Sequence, residues 1–242
     1  MSVQAIRASF TLRDEDGEPF EVSPDNLSKS VFQKSIPWRT FRWYLGQQHY
    51  SGSYWSTTES KHVIYESRLE LSRLLMADFD PRVKAIRAQP FLMRALVGGK
   101  VRRHIPDYLL IPESDPPILV DVKPRERLES DRVAETLEWV RSTIESIGWR
   151  FEVASEQPAI ELQNVRFLAG FRRTAGISQE CLDDLRNSDL DGVAFREALR
   201  KTSAPEPIAR AALLHLLWTH ELTTDLSRVL SSNSVLHRAA AS

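Results

Sequence analysis

The chain has 242 residues, enough for one well-buried domain and a smaller second one. Its hydrophobic share of 42% and charged share of 27% are ordinary for a globular protein and exclude a disordered or fibrous chain. The formal net charge of -1 excludes a global attraction to nucleic acid, so any DNA binding must depend on local basic patches.

Cysteine content and hydropathy indicate the cellular environment in which the protein works. Cys181 is the only cysteine, which excludes an intrachain disulfide framework and a cysteine-based zinc site. The sequence shows neither an apolar run long enough to span a membrane nor a basic-then-apolar leader. We therefore expect a cytoplasmic protein without a membrane segment.

Residues 1–60 are predicted to form an N-terminal arm rich in aromatic side chains. Its first thirty residues, with Asp16-Gly17, are typical of a loosely ordered segment or a short hairpin. The aromatic and basic side chains that follow could stack on bases, or anchor the arm on the core by packing. They are Trp38, Arg39, Phe41, Arg42, Trp43, Tyr44, His49, Tyr50, Tyr54 and Trp55.

Residues 61–156 are predicted to form an α/β core. Apolar spacing predicts an amphipathic helix over 63–79, and turn signals then separate three strands. The strands are predicted in FLMRALV, KVRRHIPDYLLI and PPILVDVK, the first two forming a hairpin. A helix over 129–147 and a strand over 149–155, parallel to its neighbour, complete a mixed central sheet flanked by helices.

Residues 157–242 are predicted to form a small helical domain that contacts a partner or DNA. Helices are expected in SQECLDDLRN, DGVAFREALRKT and EPIARAALLHLLWTHEL, each introduced by a capping residue or proline. Three helices of this length are compatible with a helix-turn-helix or winged-helix domain. We expect the tail SSNSVLHRAAAS to be frayed.

Two aspartates and a lysine carry the strongest chemical signal. Asp107 opens one predicted strand, and Asp121 and Lys123 end the next, two residues apart and therefore on one face. Converging carboxylates need a cation or a raised pKa, and hard oxygen ligands suit Mg²⁺. A metal-activated water and a lysine beside a phosphate predict phosphodiester hydrolysis.

A third acid is expected from the preceding helix. Glu66 and Glu70 are four residues apart and share a face, so either could supply it. Four basic residues near the predicted site are candidates for gripping DNA phosphates, and the alternative is a solvated edge strand protected by charge. These are Lys100, Arg102, Arg103 and Arg125.

The segments YESRLELSRLLMADFDPRVKAIRAQPF, RRHIPDYLL and ILVDVKPRERL resemble the N-terminal domain of TnsA-type transposon endonucleases. The resemblance covers about residues 60 to 128. It implies a restriction-endonuclease-like fold of the PD-(D/E)XK group. The catalytic residues it implies are Glu70, Asp107, Asp121 and Lys123, with Glu70, Asp107, Asp121 and Val122 around Mg²⁺, for which Mn²⁺ can substitute.

The resemblance also implies a biological role. Such endonucleases cut double-stranded DNA at transposon 5′ ends while a DDE-type transposase cuts and joins the 3′ ends, and an ATPase regulator is a further expected partner. Two alternatives remain open at this stage. One is a standalone restriction- or repair-type nuclease, and the other is a non-catalytic DNA-binding assembly protein.

Overall fold

The structure is a computed structural model that describes residues 8–39 and 50–239. The chain divides into two compact units. The first lies within residues 1–77 and 82–156, and the second within 78–81 and 157–242. Residues 8–39 and 50–60, predicted as an arm, belong to the same unit as the predicted core. The roles predicted for the three ranges 1–60, 61–156 and 157–242 stay predictions.

The first unit contains ten strands and three helices within the described residues. The helices are α1 (Lys29–Gln33), α2 (Arg68–Phe79) and α3 (Asp131–Ser146). The strands are β1 (Ala8–Arg13), β2 (Pro19–Val22), β3 (Gly52–Ser56), β4 (Lys61–Tyr65), β5 (Val83–Ala88), β6 (Leu92–Val97), β7 (Lys100–His104), β8 (Tyr108–Pro112), β9 (Ile118–Val122) and β10 (Arg150–Ala154).

Two four-stranded sheets form the framework of this unit. One has the order β2-β1-β6-β7, and the other has the order β10-β9-β8-β5, while β3 and β4 form a separate hairpin. In the second sheet β10 runs parallel to β9, and β8 is antiparallel to both β9 and β5. The α/β class predicted from the sequence is therefore confirmed, as a mixed arrangement of several sheets and helices.

Strands β8 and β9 are buried on both faces. Leu109 and Leu119 belong to an apolar cluster that also contains Phe10 of β1 and Val140 of α3. Tyr108, Leu110 and Val120 belong to a second cluster with Leu74 of α2 and Ile86 of β5. Since both faces need apolar side chains, these strands read as continuous hydrophobic runs rather than as alternating patterns.

The N-terminal segment differs from the loosely ordered arm that was one expectation. β1 and β2 form a hairpin around the Asp16-Gly17 turn, where Gly17 has a φ of +88°. β1 also pairs with β6, and Phe10 and Leu12 are fully buried. The short-hairpin alternative describes this segment correctly, but the hairpin is part of the sheet because its alternate apolar residues reach the core.

The predicted aromatic surface is only partly described. Phe41, Arg42, Trp43, Tyr44 and His49 lie outside the described residues. The others contact their neighbours in the first unit. The guanidinium of Arg13 lies over the Trp38 ring, that of Arg68 lies over the Tyr50 ring, and Trp55 meets His62 edge to face.

One strand prediction in the core was wrong, and one strand was missed. The run predicted as one strand over KVRRHIPDYLLI is β7 and β8, which lie in different sheets, because Pro106 lacks the amide hydrogen that would continue a ladder. β5 was not predicted. Its pairing with β8 shifts register between Val83 and Ala85, which removes the period of two that identifies a strand in sequence.

The second unit contains four helices and three short strands within the described residues. They are α4 (Ala159–Leu168), α5 (Gln179–Asn187), β11 (Val193–Ala194), α6 (Phe195–Ala198), α7 (Glu206–Trp218), β12 (Leu222–Thr223) and β13 (Val235–Arg238). The strands form one sheet in the order β11-β13-β12. α7 is the centre of the unit, since every residue from Ala212 to Trp218 is buried.

Three expectations for this unit need correction. α4 was not predicted, and the helix expected over 191–202 is helical only in α6. The tail expected to be frayed contains β13, the middle strand of the sheet, with Leu236 fully buried. A four-residue strand with one buried side chain is too short to be recognised by its periodicity. Within residues 8–39 and 50–239, none of the helices has the length and apolar composition needed to cross a membrane.

A buried ion pair connects the β3–β4 hairpin to β5. The Glu59 side chain is 6% exposed and pairs with the guanidinium of Arg87, itself 14% exposed. Its other carboxylate oxygen accepts the backbone N–H of Ile86 at 2.6 Å. The hairpin is therefore held to the central sheet by two charge-assisted hydrogen bonds.

We predict that Glu59→Ala lowers the free energy of unfolding by about 3 kcal/mol, because it leaves the Arg87 charge buried without its partner. Urea denaturation followed by circular dichroism measures this change. Lys61→Ala is the matched control, since Lys61 contacts the same carboxylate from an exposed position, and it should change stability by less than about 0.5 kcal/mol. Equal effects of the two substitutions would contradict the prediction.

Candidate active site

Asp107 lies at the point where the chain passes from one sheet to the other. β7 ends at His104 and β8 begins at Tyr108, so Asp107 is just outside the central sheet. Its backbone N–H donates to the Val120 carbonyl at 3.1 Å, which fixes it beside β9. Its carboxylate Oδ2 accepts the Val122 N–H at 2.6 Å and the Lys123 ammonium at 3.3 Å.

Lys123 follows directly after β9. Its backbone N–H donates to the Ala154 carbonyl at 2.9 Å, so the parallel pairing of β9 with β10 fixes where Lys123 lies. Its ammonium contacts Asp107 and also donates to the Val122 carbonyl at 3.0 Å. Burial lowers the pKa of Lys123, but the charges of Asp107 and Asp121 outweigh this effect, so the pKa is raised and the side chain is cationic.

Asp121 is fully buried and is held by a histidine. The Nε2 atom of His104 hydrogen-bonds to Oδ1 at 2.9 Å and lies 2.7 Å from Oδ2. Because a carboxylate can only accept, Nε2 carries the proton. The hydrogen bond of suitable geometry is the one to Oδ1, and Oδ2, although close to Nε2, accepts no hydrogen bond from the described residues.

Glu70 is in the first turn of α2 and also helps to begin that helix. Its N–H donates to the Ser67 hydroxyl at 3.1 Å, and its carboxylate accepts the Ser67 hydroxyl at 3.0 Å and the Glu66 N–H at 2.7 Å. This is a variant of the capping box formed by Ser-x-x-Glu at a helix start. The capping contacts lock the carboxylate into one orientation.

The pKa values of the two clustered acids show that their charges interact. Burial and the charge of Asp107 raise the pKa of Glu70 from 4.5 to about 7, against the opposing hydrogen bonds from Glu66 and Ser67. Burial likewise raises the pKa of Asp107. Lys123 opposes that rise, and the charge of Asp121 adds to it. Asp107 thus interacts unfavourably with both Glu70 and Asp121 in a site that has one lysine.

Glu66, the alternative acid, lies between β4 and α2 and not on the helix, so the helix predicted from residue 63 was wrong at its start. Its carboxylate accepts the Gln89 side-chain amide at 2.6 Å and lies 3.6 Å from the Arg39 guanidinium. Gln89 was not identified from the sequence. Its backbone N–H donates to the Asp107 carbonyl at 2.9 Å, and its φ is +45° although proline follows it. A glutamine after a strand carries no recognisable signal, and this strained backbone beside Asp107 is visible only in the structure.

The donor set fits a hard divalent cation. As arranged, residues 8–39 and 50–239 contain no group of three or more His, Cys, Asp or Glu side chains that could hold a metal ion. The Asp121 Oδ2 is nevertheless a buried anionic oxygen without a donor, and such an atom is costly unless it is paired. Carboxylate and carbonyl oxygens are what Mg²⁺ prefers. In this structure the Lys123 ammonium donates hydrogen bonds to the Val122 carbonyl and to one oxygen of Asp107.

The four candidate phosphate contacts are distributed over two places. Lys100, Arg102 and Arg103 are on β7, the edge strand that ends at His104, and Arg102 lies 3.5 Å from Glu135. Arg125 follows Lys123, and its backbone N–H donates to the Glu156 carboxylate at 3.2 Å. A cavity of about 190 Å³ beside the site is lined by His104, Lys123, Arg132, Val133, Thr136 and Leu137.

Residues 80–156 match the family model described as TnsA-like endonuclease N terminal. The chain therefore contains a TnsA-like endonuclease domain, and the resemblance found in the sequence is confirmed. The match covers less than half of the chain and includes Asp107, Asp121 and Lys123, whereas Glu70 precedes it. A search of curated proteins finds no match to this chain.

The raised pKa of Glu70 predicts a stability that depends on pH. The folded chain keeps a proton on Glu70 up to about pH 7, whereas the unfolded chain loses it near the ordinary pKa of 4.5. The folded state therefore binds more protons between these values, and stability falls as pH rises through this window. Relative to Glu70→Gln, which has no such proton, the parent chain should lose about 2 to 3 kcal/mol between pH 4.5 and 7.

The measurement is urea denaturation of both proteins at several pH values in EDTA. Glu138→Gln is the matched control, because Glu138 is exposed on α3 and its removal should leave the pH profile of the parent unchanged. Parallel profiles for the parent chain and Glu70→Gln would show that Glu70 titrates normally.

Proposed function

We propose that the chain is a metal-dependent DNA endonuclease of the PD-(D/E)XK type that cuts at transposon 5′ ends as a subunit of a heteromeric transposase. The observation that carries this proposal is the cluster of Asp107, Asp121 and Lys123 inside the TnsA-like endonuclease domain. Buried acids that repel one another are expensive to fold, and a catalytic metal site gives them a use.

We assign the metal-holding role to the carboxylates of Glu70, Asp107 and Asp121 and to the carbonyl of Val122. A bound Mg²⁺, or Mn²⁺ in its place, supplies Lewis acidity at the scissile phosphate and a nucleophilic water at neutral pH. The mutual repulsion of the carboxylates and the donor-free Oδ2 of Asp121 support this assignment. Glu66, bound to Gln89, is the less favoured acid.

Each protein group has a distinct task in this proposal. Lys123, kept cationic by the carboxylates around it, stabilises negative charge that develops on the phosphate and orients the attacking water. His104 hydrogen-bonds to one oxygen of Asp121, and the other accepts no hydrogen bond from the described residues. Lys100, Arg102, Arg103 and Arg125 contact phosphates of the double-stranded DNA on either side of the cut.

We further propose that the first unit has a restriction-endonuclease-like core and that the second is a winged-helix domain that contacts a partner or DNA. The α6–α7 pair followed by the β12–β13 hairpin supports the winged-helix interpretation. The partners we expect are a DDE-type transposase and an ATPase regulator, as in TnsA-type systems. The last two turns of α7 are buried, so few of their side chains are available to contact DNA bases.

Asp107→Asn and Lys123→Gln should each reduce DNA cleavage by at least about 100-fold while the fold is retained. The assay follows supercoiled plasmid carrying transposon ends, with Mg²⁺, with the chain alone and together with any transposase encoded beside it. Asp115→Asn and Lys84→Gln are the matched controls, because both residues are exposed outside the cluster, and they should cut like the parent.

The same assay separates the open alternatives. Cleavage only with the transposase supports the proposed subunit, and cleavage by the chain alone favours a standalone nuclease. If Asp107→Asn and Lys123→Gln cut as fast as the parent chain, the active-site assignment is wrong. A parent chain that binds DNA but never cuts it would instead be an assembly protein.

Metal binding provides an independent check. The parent chain should bind Mn²⁺ in calorimetry, and Asp121→Asn should weaken this binding by more than about tenfold because it removes a ligand charge. EDTA should abolish cleavage, and added Mg²⁺ should restore it. Asp131→Asn, at the exposed start of α3, is the control that should bind Mn²⁺ normally. Equal Mn²⁺ affinities for the parent chain and both variants would show that Asp121 is not a metal ligand.

A further inference from the structure

Within the described residues, the hairpin formed by β6 and β7 extends past the last residue that pairs with β1. β1 pairs with β6 only from Leu92 to Ala95 within the described residues, and β7 is the edge strand. The segment from Leu96 to Val101 therefore pairs only with itself there, as a two-stranded ribbon. Gly98 and Gly99 close it with φ values of +57° and +75°, as the tightest hairpin turn requires.

The two faces of this ribbon differ. Met93 and Ala95 are buried in the core, and Val97 packs against it. Leu96 and Val101 face the other way, lie directly opposite each other in the register, and are 58% and 65% exposed. Two adjacent branched apolar side chains at the free end of a ribbon are unusual, since exposed strands normally carry polar or charged groups there.

The charge of the ribbon is of one sign. From Leu92 to His104 every charged residue is basic. Arg94 and Arg102 lie 3.7 Å and 3.5 Å from Glu21 and Glu135, whereas Lys100 and Arg103 have no ion pair within residues 8–39 and 50–239. Arg103 is on the same face as Leu96 and Val101, and Lys100 is on the opposite face beside the turn. Within the described residues the ribbon therefore presents two cations without an ion pair near its apolar pair, which complements a surface that is apolar in the middle and anionic at its rims.

The groove of duplex DNA is such a surface. The major groove is about 12 Å wide and admits a two-stranded ribbon, whereas the minor groove, about 6 Å wide, is too narrow. Its floor carries the methyl groups of thymine, and its rims carry phosphates. The ribbon also starts at the site, because His104 at the end of β7 contacts Asp121. Four residues at about 3.3 Å each place Lys100 about 13 Å from that contact, within one turn of the duplex.

We propose that the β6–β7 hairpin enters the major groove beside the cut, with Leu96 and Val101 against thymine methyl groups and Lys100 and Arg103 on the phosphates. This inference rests on the proposed function, because it takes duplex DNA as the substrate. It adds apolar groove contacts to what the basic residues alone would provide, and it gives the exposed pair a partner of defined chemistry.

The test is binding of the full chain to an A·T-rich duplex in EDTA, so that no cleavage occurs and failure of the nuclease assignment does not affect it. Leu96→Thr combined with Val101→Thr should weaken binding at least about fivefold, because apolar contact area is lost while strand propensity is kept. Lys100→Gln combined with Arg103→Gln should reduce the slope of log affinity against log salt by about 1.8, since each phosphate contact contributes about 0.9.

Two controls make the outcome specific. Phe20→Thr changes an exposed apolar side chain on β2, the edge strand of the same sheet farthest from β7, and should leave DNA affinity unchanged. Replacing thymine by uracil throughout the duplex removes the methyl groups, so it should weaken the parent chain but not the Leu96→Thr/Val101→Thr variant. The proposal is overturned if that variant binds like the parent, or if the parent binds both duplexes equally well.

Discussion

The structure of the first unit depends on how two aspartates are accommodated at the ends of its most buried strands. Asp107 and Asp121 adjoin β8 and β9, which have apolar clusters on both faces, and Asp121 is fully buried. Such carboxylates persist only when charges and hydrogen bonds compensate for lost water. Lys123, His104 and the Val122 N–H supply that compensation, and each comes from a strand end that the two sheets bring to the same place.

These contacts only partly offset the cost of burying the carboxylates. One lysine faces the carboxylates of Glu70, Asp107 and Asp121, and burial, with charge repulsion added to it, raises the pKa values of Glu70 and Asp107. A site designed only for stability would replace these acids by apolar or neutral side chains. Retaining them together with a strained Gln89 backbone is typical of a functional site whose cost is offset by the surrounding packing.

Part of this arrangement could be predicted from the sequence, because it depends on local rules. Asp121 and Lys123 share a face by strand alternation, and Asp107 was placed correctly at the start of its strand. The pairing of His104 with Asp121 could not be predicted, since β7, which carries His104, looked continuous with β8, whereas it lies in a different sheet from β9, which carries Asp121. β5 was hidden by its irregular register, and the sequence did not show that the N-terminal hairpin joins a sheet by pairing with β6. Each missed feature depends on contacts distant in sequence.

The choice between Glu66 and Glu70 shows how the structure extends a pattern that the sequence leaves open. Helical spacing puts both on one face, so periodicity cannot separate them. Their hydrogen bonds differ. The Glu66 carboxylate accepts the Gln89 side-chain amide, whereas the Glu70 carboxylate caps the start of α2. Although Glu70 caps α2, its carboxylate still interacts with the other charged groups of the site. Burial and the charge of Asp107 raise the pKa of Glu70, and the charge of Glu70 contributes to the raised pKa of Lys123. The residue that starts the helix is thus also electrostatically part of the aspartate and lysine cluster, which makes the position of α2 and the composition of the site inseparable.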